Sequence, residues 1–266
     1  MTASERNVLV TGATRQAGIA PAVVKRLAAD GWNVATTGWR PFDASEPWGS
    51  VEAEAEDVVE SARALGVRAQ FREDDLSDPT AAERVVAWAA EVVGPLDALV
   101  AAHAHSTTGG LLETSVEEWN RHLEVNARGT FLLCAAFARR WSGEPGTGRI
   151  VTFTSGLPLP GEIAYAASKG AIEWLTVTAA AELAERGISV NAIDPGPTDT
   201  GWLNPELYEL VRLESPLGRL GRPEDAAELV AFLLSPAGGW ITGQILHSDG
   251  GFSSIRGLRR GREPAP

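Results

Sequence analysis

Seven short apolar runs, at residues 7–10, 33–37, 69–72, 98–101, 149–154, 189–193 and 244–247, alternate with longer stretches whose apolar residues fall at helical spacing, near 20–30, 51–65, 79–93, 115–141, 164–186 and 223–234. Apolar runs of that length bounded by turn residues read as strands buried on both faces. Strands separated by helices pair in parallel, and the helices then cover both sides of the sheet. Crossovers between parallel strands are right-handed, which makes the sheet doubly wound. The expected fold is therefore α/β, a single doubly wound domain with a parallel sheet of about seven strands flanked by helices. Ligands of such sheets bind at the C-terminal ends of the strands. Residues 11–18, Asp75, His103, Ser155 and 195–200 all fall there.

The first run leads straight into Thr11-Gly12-Ala13-Thr14-Arg15-Gln16-Ala17-Gly18-Ile19, followed by a helical pattern through Val23, Val24 and Leu27. Strand, glycine turn and helix N-terminus together present unpaired N–H groups of the kind that bind a pyrophosphate. Far along the chain, Tyr165 and Lys169 stand four residues apart at the start of an apolar helical run, hence on one helix face. Only two of the 23 basic residues are lysines. Arginine would serve as well on a solvated surface, but its planar fork is effectively never deprotonated and cannot replace a compact ammonium. An ammonium beside a phenol lowers the phenol pKa from about 10, which makes Tyr165 a candidate general acid/base. The alternative for this pair alone is a buried tyrosine with a snorkelling lysine.

Taken together, the glycine turn and the Tyr165-Ala166-Ala167-Ser168-Lys169 motif resemble the short-chain dehydrogenase/reductase family, and the resemblance spans residues 7–252 with its motifs in the family's order. It implies a Rossmann-like fold. It matches Asp75-Leu76 to the acidic segment near the adenine, Asn126 to the helix asparagine of the catalytic tetrad, Ser155 to its serine, and Pro195, Gly196, Thr198 and Thr200 to the segment that cradles the nicotinamide. Residues 218–225, 241–244 and 249–251 match the C-terminal signature.

The chain departs from the family at four places. Gln16 replaces the second turn glycine, and glycine there permits positive φ and close backbone approach. Ala101-Ala102-His103-Ala104 replaces Asn-Asn-Ala-Gly, which puts an imidazole beside the cofactor; His103 and His105 either contact substrate or serve the structure. Ser155 and Tyr165 are ten positions apart, three fewer than usual, so the loop 156–161 must be tight; counting the usual spacing back from Tyr165 gives Thr152, which lies inside a strand. The loop 39–49 is long, and its aromatic residues either lie on the adenine or cap the sheet edge.

The resemblance implies hydride transfer between a nicotinamide and a carbonyl or alcohol carbon. Tyr165 would transfer the oxygen's proton, Lys169 would lower the Tyr165 pKa and hold the nicotinamide ribose, Ser155 would bind the substrate oxygen, and Asn126 would fix a water linking Lys169 to solvent. The cofactor contacts are expected at Thr11, Gly12, Thr14, Arg15, Gln16, Gly18, Ile19, Trp39, Arg40, Asp75, Leu76, Ala102, His103, Tyr165, Lys169, Pro195, Gly196, Thr198 and Thr200. An acidic residue ending the second strand repels a 2′-phosphate. Here Thr37-Gly38-Trp39-Arg40 has none, and Arg15 can reach the same group, so NADP(H) is expected ahead of NAD(H). The small-molecule substrate is a carbonyl/alcohol pair, such as a 3-oxoacyl thioester or another hydrophobic ketone. The competing reading is a catalytically silent nucleotide-binding sensor or scaffold of the same fold. Enoyl reductases space their Tyr and Lys more widely than this chain does.

Composition narrows the partners. A net charge of −12 offers nothing to nucleic acid or an anionic membrane. Cys134 is the sole cysteine, so no internal disulfide forms, and it reads as a core thiol. No metal-ligand spacing is visible. Neither an apolar leader nor a run of about 20 apolar residues occurs, and the expected location is cytoplasmic. Residues 1–255 are expected to form one domain and the basic residues 256–266 a flexible tail. Family members assemble through the helices carrying Asn126 and Tyr165. Here Phe131, Leu132, Phe137, Trp141, Trp174, Leu175 and Val177 supply apolar positions on those helices, so a homo-oligomer, dimer or tetramer, is expected.

Overall fold

The structure, a computed structural model, describes residues 5–156 and 160–255. The centre of the expected tight loop, 157–159, the first four residues and the tail 256–266 lie outside the described residues. In chain order the elements are β1 (Arg6–Thr11), α1 (Ile19–Ala29), β2 (Trp32–Gly38), α2 (Arg40–Ser45), α3 (Glu52–Arg63), β3 (Ala69–Glu73), α4 (Ala81–Val93), β4 (Ala98–Ala101), α5 (Val116–His122), a π-helical segment (Leu123–Gly129), α6 (Thr130–Arg140), β5 (Gly148–Phe153), α7 (Ile163–Leu183), β6 (Ile188–Asp194), α8 (Pro205–Glu214), α9 (Pro223–Leu234), β7 (Ile245–His247) and α10 (Phe252–Ile255). Short 3-10 turns follow α7 and α9.

Among the described residues the strands form one parallel seven-stranded sheet in the order β3-β2-β1-β4-β5-β6-β7. The order reverses between β1 and β4, and that switch point opens a crevice at their C-terminal ends. Side chains alternate across the sheet. Val8, Val10, Val34, Val100 and Val151 join the core under α1, α3 and α9. Leu9, Ala35, Leu99, Ile150 and Val190 join the core under α4, α6 and α7. In α1, Val23, Val24, Leu27 and Ala28 are fully or almost fully buried, and burial of each of the larger three contributes about 1.5–3 kcal/mol.

Two elements depart from the sequence expectation. The loop 39–49 contains α2, started by Pro41 near its N-terminus, and the segment after β6 contains α8, capped by Asn204, whose side chain accepts from Leu207 N. The stretch expected as one helix near 115–141 is continuous but rewound through the π segment that holds Asn126. Phe137, expected among the outward residues, lies in the core at 1% exposure, whereas Phe131, Trp174 and Val177 are exposed. Cys134 is buried, and desolvation pushes its thiol up to about 12.

Candidate active site

Gly12 turns the chain away from β1 with φ +92°, and a Cβ there would lie 2.8 Å from the Cα of His103. Glycine is therefore required where the turn crosses the end of β4. At the N-terminus of α1, Gly18 provides no side-chain cap, and the first helical N–H groups have no intrahelical acceptor. Gly12, Thr14, Arg15, Gly18 and Ile19 line a cleft of about 460 Å³, together with Trp39, Asp75, Leu76, Ala102, His103 and Thr200. A glycine cradle, an uncapped helix start and Arg15 fit a dinucleotide's phosphates.

Two expected contacts point elsewhere. Gln16 is exposed; its backbone N–H donates to Glu54 Oε2 at 2.6 Å and its amide reaches Asp57 Oδ2 at 3.3 Å. Arg40 pairs with Glu73 and donates to the carbonyl of Glu52 at 3.1 Å, outside the cleft lining. Glu73 draws it because α2 turns the arginine back over the edge strand β3. Arg15 instead faces the cleft, with its guanidinium 4.5 Å from the Trp48 ring centroid and Nη2 donating to Thr200 O at 3.0 Å. The helix α2 also brings in an acid that the end of β2 lacks: Asp43 is buried, lines the cleft and accepts from Trp48 Nε1 at 3.2 Å. Trp48 packs on Trp202 at 4.7 Å and Phe42 on His105 at 5.1 Å. The aromatic residues of this loop therefore bridge the cleft to the segment after β6.

His103 lines the cleft yet is buried and engaged through both ring nitrogens. Its Nε2 lies 3.1 Å from the carbonyl of Val125 and its Nδ1 2.7 Å from Thr11 Oγ1. A carbonyl only accepts, so Nε2 carries the hydrogen and Nδ1 accepts from the threonine. Burial, with Lys169 nearby, lowers its pKa to about 4. His105, Glu118 and His122 come together from a loop and α5, with ligand atoms within 4.8 Å of one another, a cluster the sequence spacing did not reveal. Thr107 already occupies it: its N–H donates to His122 Nε2 at 3.1 Å and its hydroxyl to Glu118 Oε2 at 2.6 Å.

Asn126 is fully buried and ties two parts of the site together. Its Oδ1 accepts from His105 N at 2.7 Å, and its Nδ2 donates to His105 O at 2.8 Å and Ser168 Oγ at 2.9 Å. Both amide hydrogens are thus directed to protein acceptors, and the side chain ties the β4 loop to α7. Ser168 in turn donates to the carbonyl of Tyr165 at 2.7 Å.

Tyr165 and Lys169 share one face of α7, with Nζ 5.5 Å from the ring centroid and donating to Phe153 O at 3.0 Å. Desolvation brings the lysine pKa down to about 8. The expected lowering of the Tyr165 pKa is not what this arrangement produces. Burial raises it well above the ordinary phenol value, reinforced by Glu162 and Asp194. Ser155 lies half-buried two residues beyond β5, while Thr152 is buried inside the strand with its hydroxyl 2.9 Å from that of Thr176. Pro195, Gly196 and Thr198 form the turn after β6, with the Thr198 hydroxyl donating to Gly196 O at 3.1 Å. Ser155, just after β5, and Tyr165 and Lys169, on α7, lie outside the cleft lining, which reaches that side through His105, Val125 and Thr200.

Comparison with known proteins agrees with this architecture. Residues 12–253 match the family model described as enoyl-(acyl carrier protein) reductase. The chain is 40% identical over 257 residues to an uncharacterized oxidoreductase of Bacillus subtilis, covering 95% of this chain and 98% of that protein. It is 34% identical over 255 residues to a 3-oxoacyl-[acyl-carrier-protein] reductase of Staphylococcus aureus, covering 92% and 97%. A short-chain dehydrogenase from Burkholderia cenocepacia, solved in complex with NADP, superimposes with a TM-score of 0.83 at 36% identity, covering 94% of this chain and 98% of that one. With the sheet order, the glycine turn and the Tyr165–Lys169 helix all in place, the chain belongs to the short-chain dehydrogenase/reductase family of oxidoreductases.

Proposed function

We propose that the protein interconverts a carbonyl and a secondary alcohol with NADP(H) as cofactor, Tyr165 being the general acid/base. The observation that carries this reading is the buried lysine one helical turn beyond Tyr165, at the ends of the strands that flank the cleft. The nicotinamide would supply or accept the hydride. Tyr165 is a protonated phenol at neutral pH, and burial strengthens that state; it is the form that donates a proton to a carbonyl oxygen. Lys169, with its pKa near 8, exchanges a proton close to neutrality and suits the task of restoring that of Tyr165. Ser155, at the end of β5, would bind the substrate oxygen.

Arg15 supports NADP(H) over NAD(H), because its guanidinium lies in the cleft wall. The Burkholderia relative's NADP complex agrees with that choice. Three residues between Tyr165 and Lys169 favour a ketone over an enoyl substrate, and the Staphylococcus relative points to 3-oxoacyl thioesters. The exposed apolar residues Phe131, Trp174 and Val177 on α6 and α7 support a homo-oligomer. Gln16, whose N–H is committed to Glu54, favours the silent-sensor alternative.

The test is NADPH consumption by purified protein against a panel of apolar ketones and 3-oxoacyl thioesters, with the product identified by mass. A secondary alcohol formed in step with NADPH loss supports the reading. NADPH binding without turnover of any panel member would favour the sensor.

A further inference from the structure

Asp194 is the last residue of β6 and is 2% exposed. One carboxylate oxygen, Oδ2, accepts from the backbone N–H of Gly156 at 3.1 Å and from His247 Nδ1 at 3.0 Å. The other, Oδ1, accepts from Gly196 N at 3.0 Å. Three neighbouring segments therefore converge on a single side chain: the turn that carries Ser155, the turn after β6, and β7. The approach is close. A Cβ on Gly156 would lie 3.0 Å from Asp194 Oδ2 and 3.3 Å from His247 Cε1. A carboxylate only accepts, so His247 donates through Nδ1, and its half-exposed ring connects the buried acid to solvent.

We propose that Asp194, held by His247, is a positioning residue for the Ser155–Tyr165 pair: it fixes the serine turn and sets a buried negative charge at the end of β6, the strand on which the Tyr165 helix packs. The proposal rests on the oxidoreductase reading above but concerns a residue outside the catalytic set. A buried carboxylate near the phenol opposes formation of the phenolate and keeps Tyr165 a proton donor. The charged groups around the pair are Lys169 and Glu173 on α7, Glu162 at its N-cap, His247 on β7 and Asp249 just after it. Glu173 is turned to the Thr154 hydroxyl at 3.1 Å. Lys169 is turned to Phe153 O. Burial first, and then the charges of Glu162 and Asp194, raise the Tyr165 pKa.

Replacing Asp194 by Asn keeps its size but turns one oxygen into a donor that faces a donor. Both effects should then be visible. The chain has two tyrosines, Tyr165 and Tyr208, so 13Cζ-tyrosine NMR of the NADP+-saturated protein follows Tyr165 directly, whether or not a substrate has been found. In Asp194→Asn the Tyr165 titration should move toward lower pH by about half a unit or more while Tyr208 stays put. With an alcohol substrate, the rising limb of kcat against pH should move by the same amount and the plateau should drop about tenfold.

His247→Ala should lower the plateau about threefold or more, and His247→Asn, whose amide can donate the same hydrogen bond, should restore most of it. A mere folding role would lower the plateau without moving either titration. An unmoved Tyr165 signal in Asp194→Asn overturns the proposal. Should Asp194→Asn fail to fold, equal losses in His247→Ala and His247→Asn overturn it. Failure of wild type to turn over any alcohol would refute the oxidoreductase reading alone, since the NMR titration still decides this one.

Discussion

The ammonium of Lys169 lies 5.5 Å from the ring centroid of Tyr165 and donates to the carbonyl of Phe153, so the lysine is anchored to the end of β5 while it faces the phenol. This joins α7 to the strand that leads into Ser155. It also explains why burial, rather than the lysine, dominates the phenol here: the ammonium is itself desolvated and directed to a backbone acceptor.

Cofactor choice should depend on one arginine rather than two. Arg15 lines the cleft, whereas Arg40 is held by Glu73. Arg15→Ala is expected to weaken NADPH binding by about tenfold relative to NADH, the scale of one charge-assisted contact. Arg40→Ala should leave that ratio unchanged. Dissociation constants for both nucleotides, measured by fluorescence, check this; an equal fall in the ratio for Arg40→Ala would contradict it.

Acid should weaken the fold through His103. Its folded pKa, about 4, lies below the ordinary 6.5, so between those values the unfolded chain binds more protons and stability falls as pH falls. The contribution is fully present above about 6.5 and is lost as the pH approaches 4. Urea titrations of wild type and His103→Asn at pH 7.5 and 5 should show a smaller acid loss in the variant, by up to about 1.4 kcal/mol per pH unit. Equal losses would place the acid sensitivity in other groups.

Assembly should use the exposed face of α6 and α7. Phe131 is 51% exposed and Trp174 76%, large apolar surfaces that a soluble monomer seldom presents together. Light scattering at micromolar concentration should give the mass of a dimer or tetramer, and Trp174→Asp should shift it toward the monomer. A monomeric wild type would contradict the assembly.

The fold was legible because burial wrote itself into the sequence: apolar strands alternating with helices imply a doubly wound parallel sheet, though not its strand order, and β4 and α9 were delimited to the residue. What could not be read came from residues distant in sequence. Asp43 enters the cleft only because α2 forms within the loop after β2, and no acid at the strand end signalled it. Glu118 and His122 meet His105 only when α5 docks on the β4 loop. The position of Asp194 was visible, but its bonds to Gly156 and His247 depend on three strand ends meeting. Periodicity also missed the π winding around Asn126.

The account stands most directly on the Tyr165–Lys169 pair, and kcat against pH for wild type and Lys169→Arg, with NADPH saturating and a confirmed ketone, tests it. If the lysine exchanges protons with the site, the arginine variant should fold normally, by circular dichroism, yet lose about a hundredfold or more in kcat, the scale of a positioned acid/base; Tyr165→Phe should lose at least as much. Turnover in Lys169→Arg close to that of wild type would contradict the account and leave the pair as part of the packing alone.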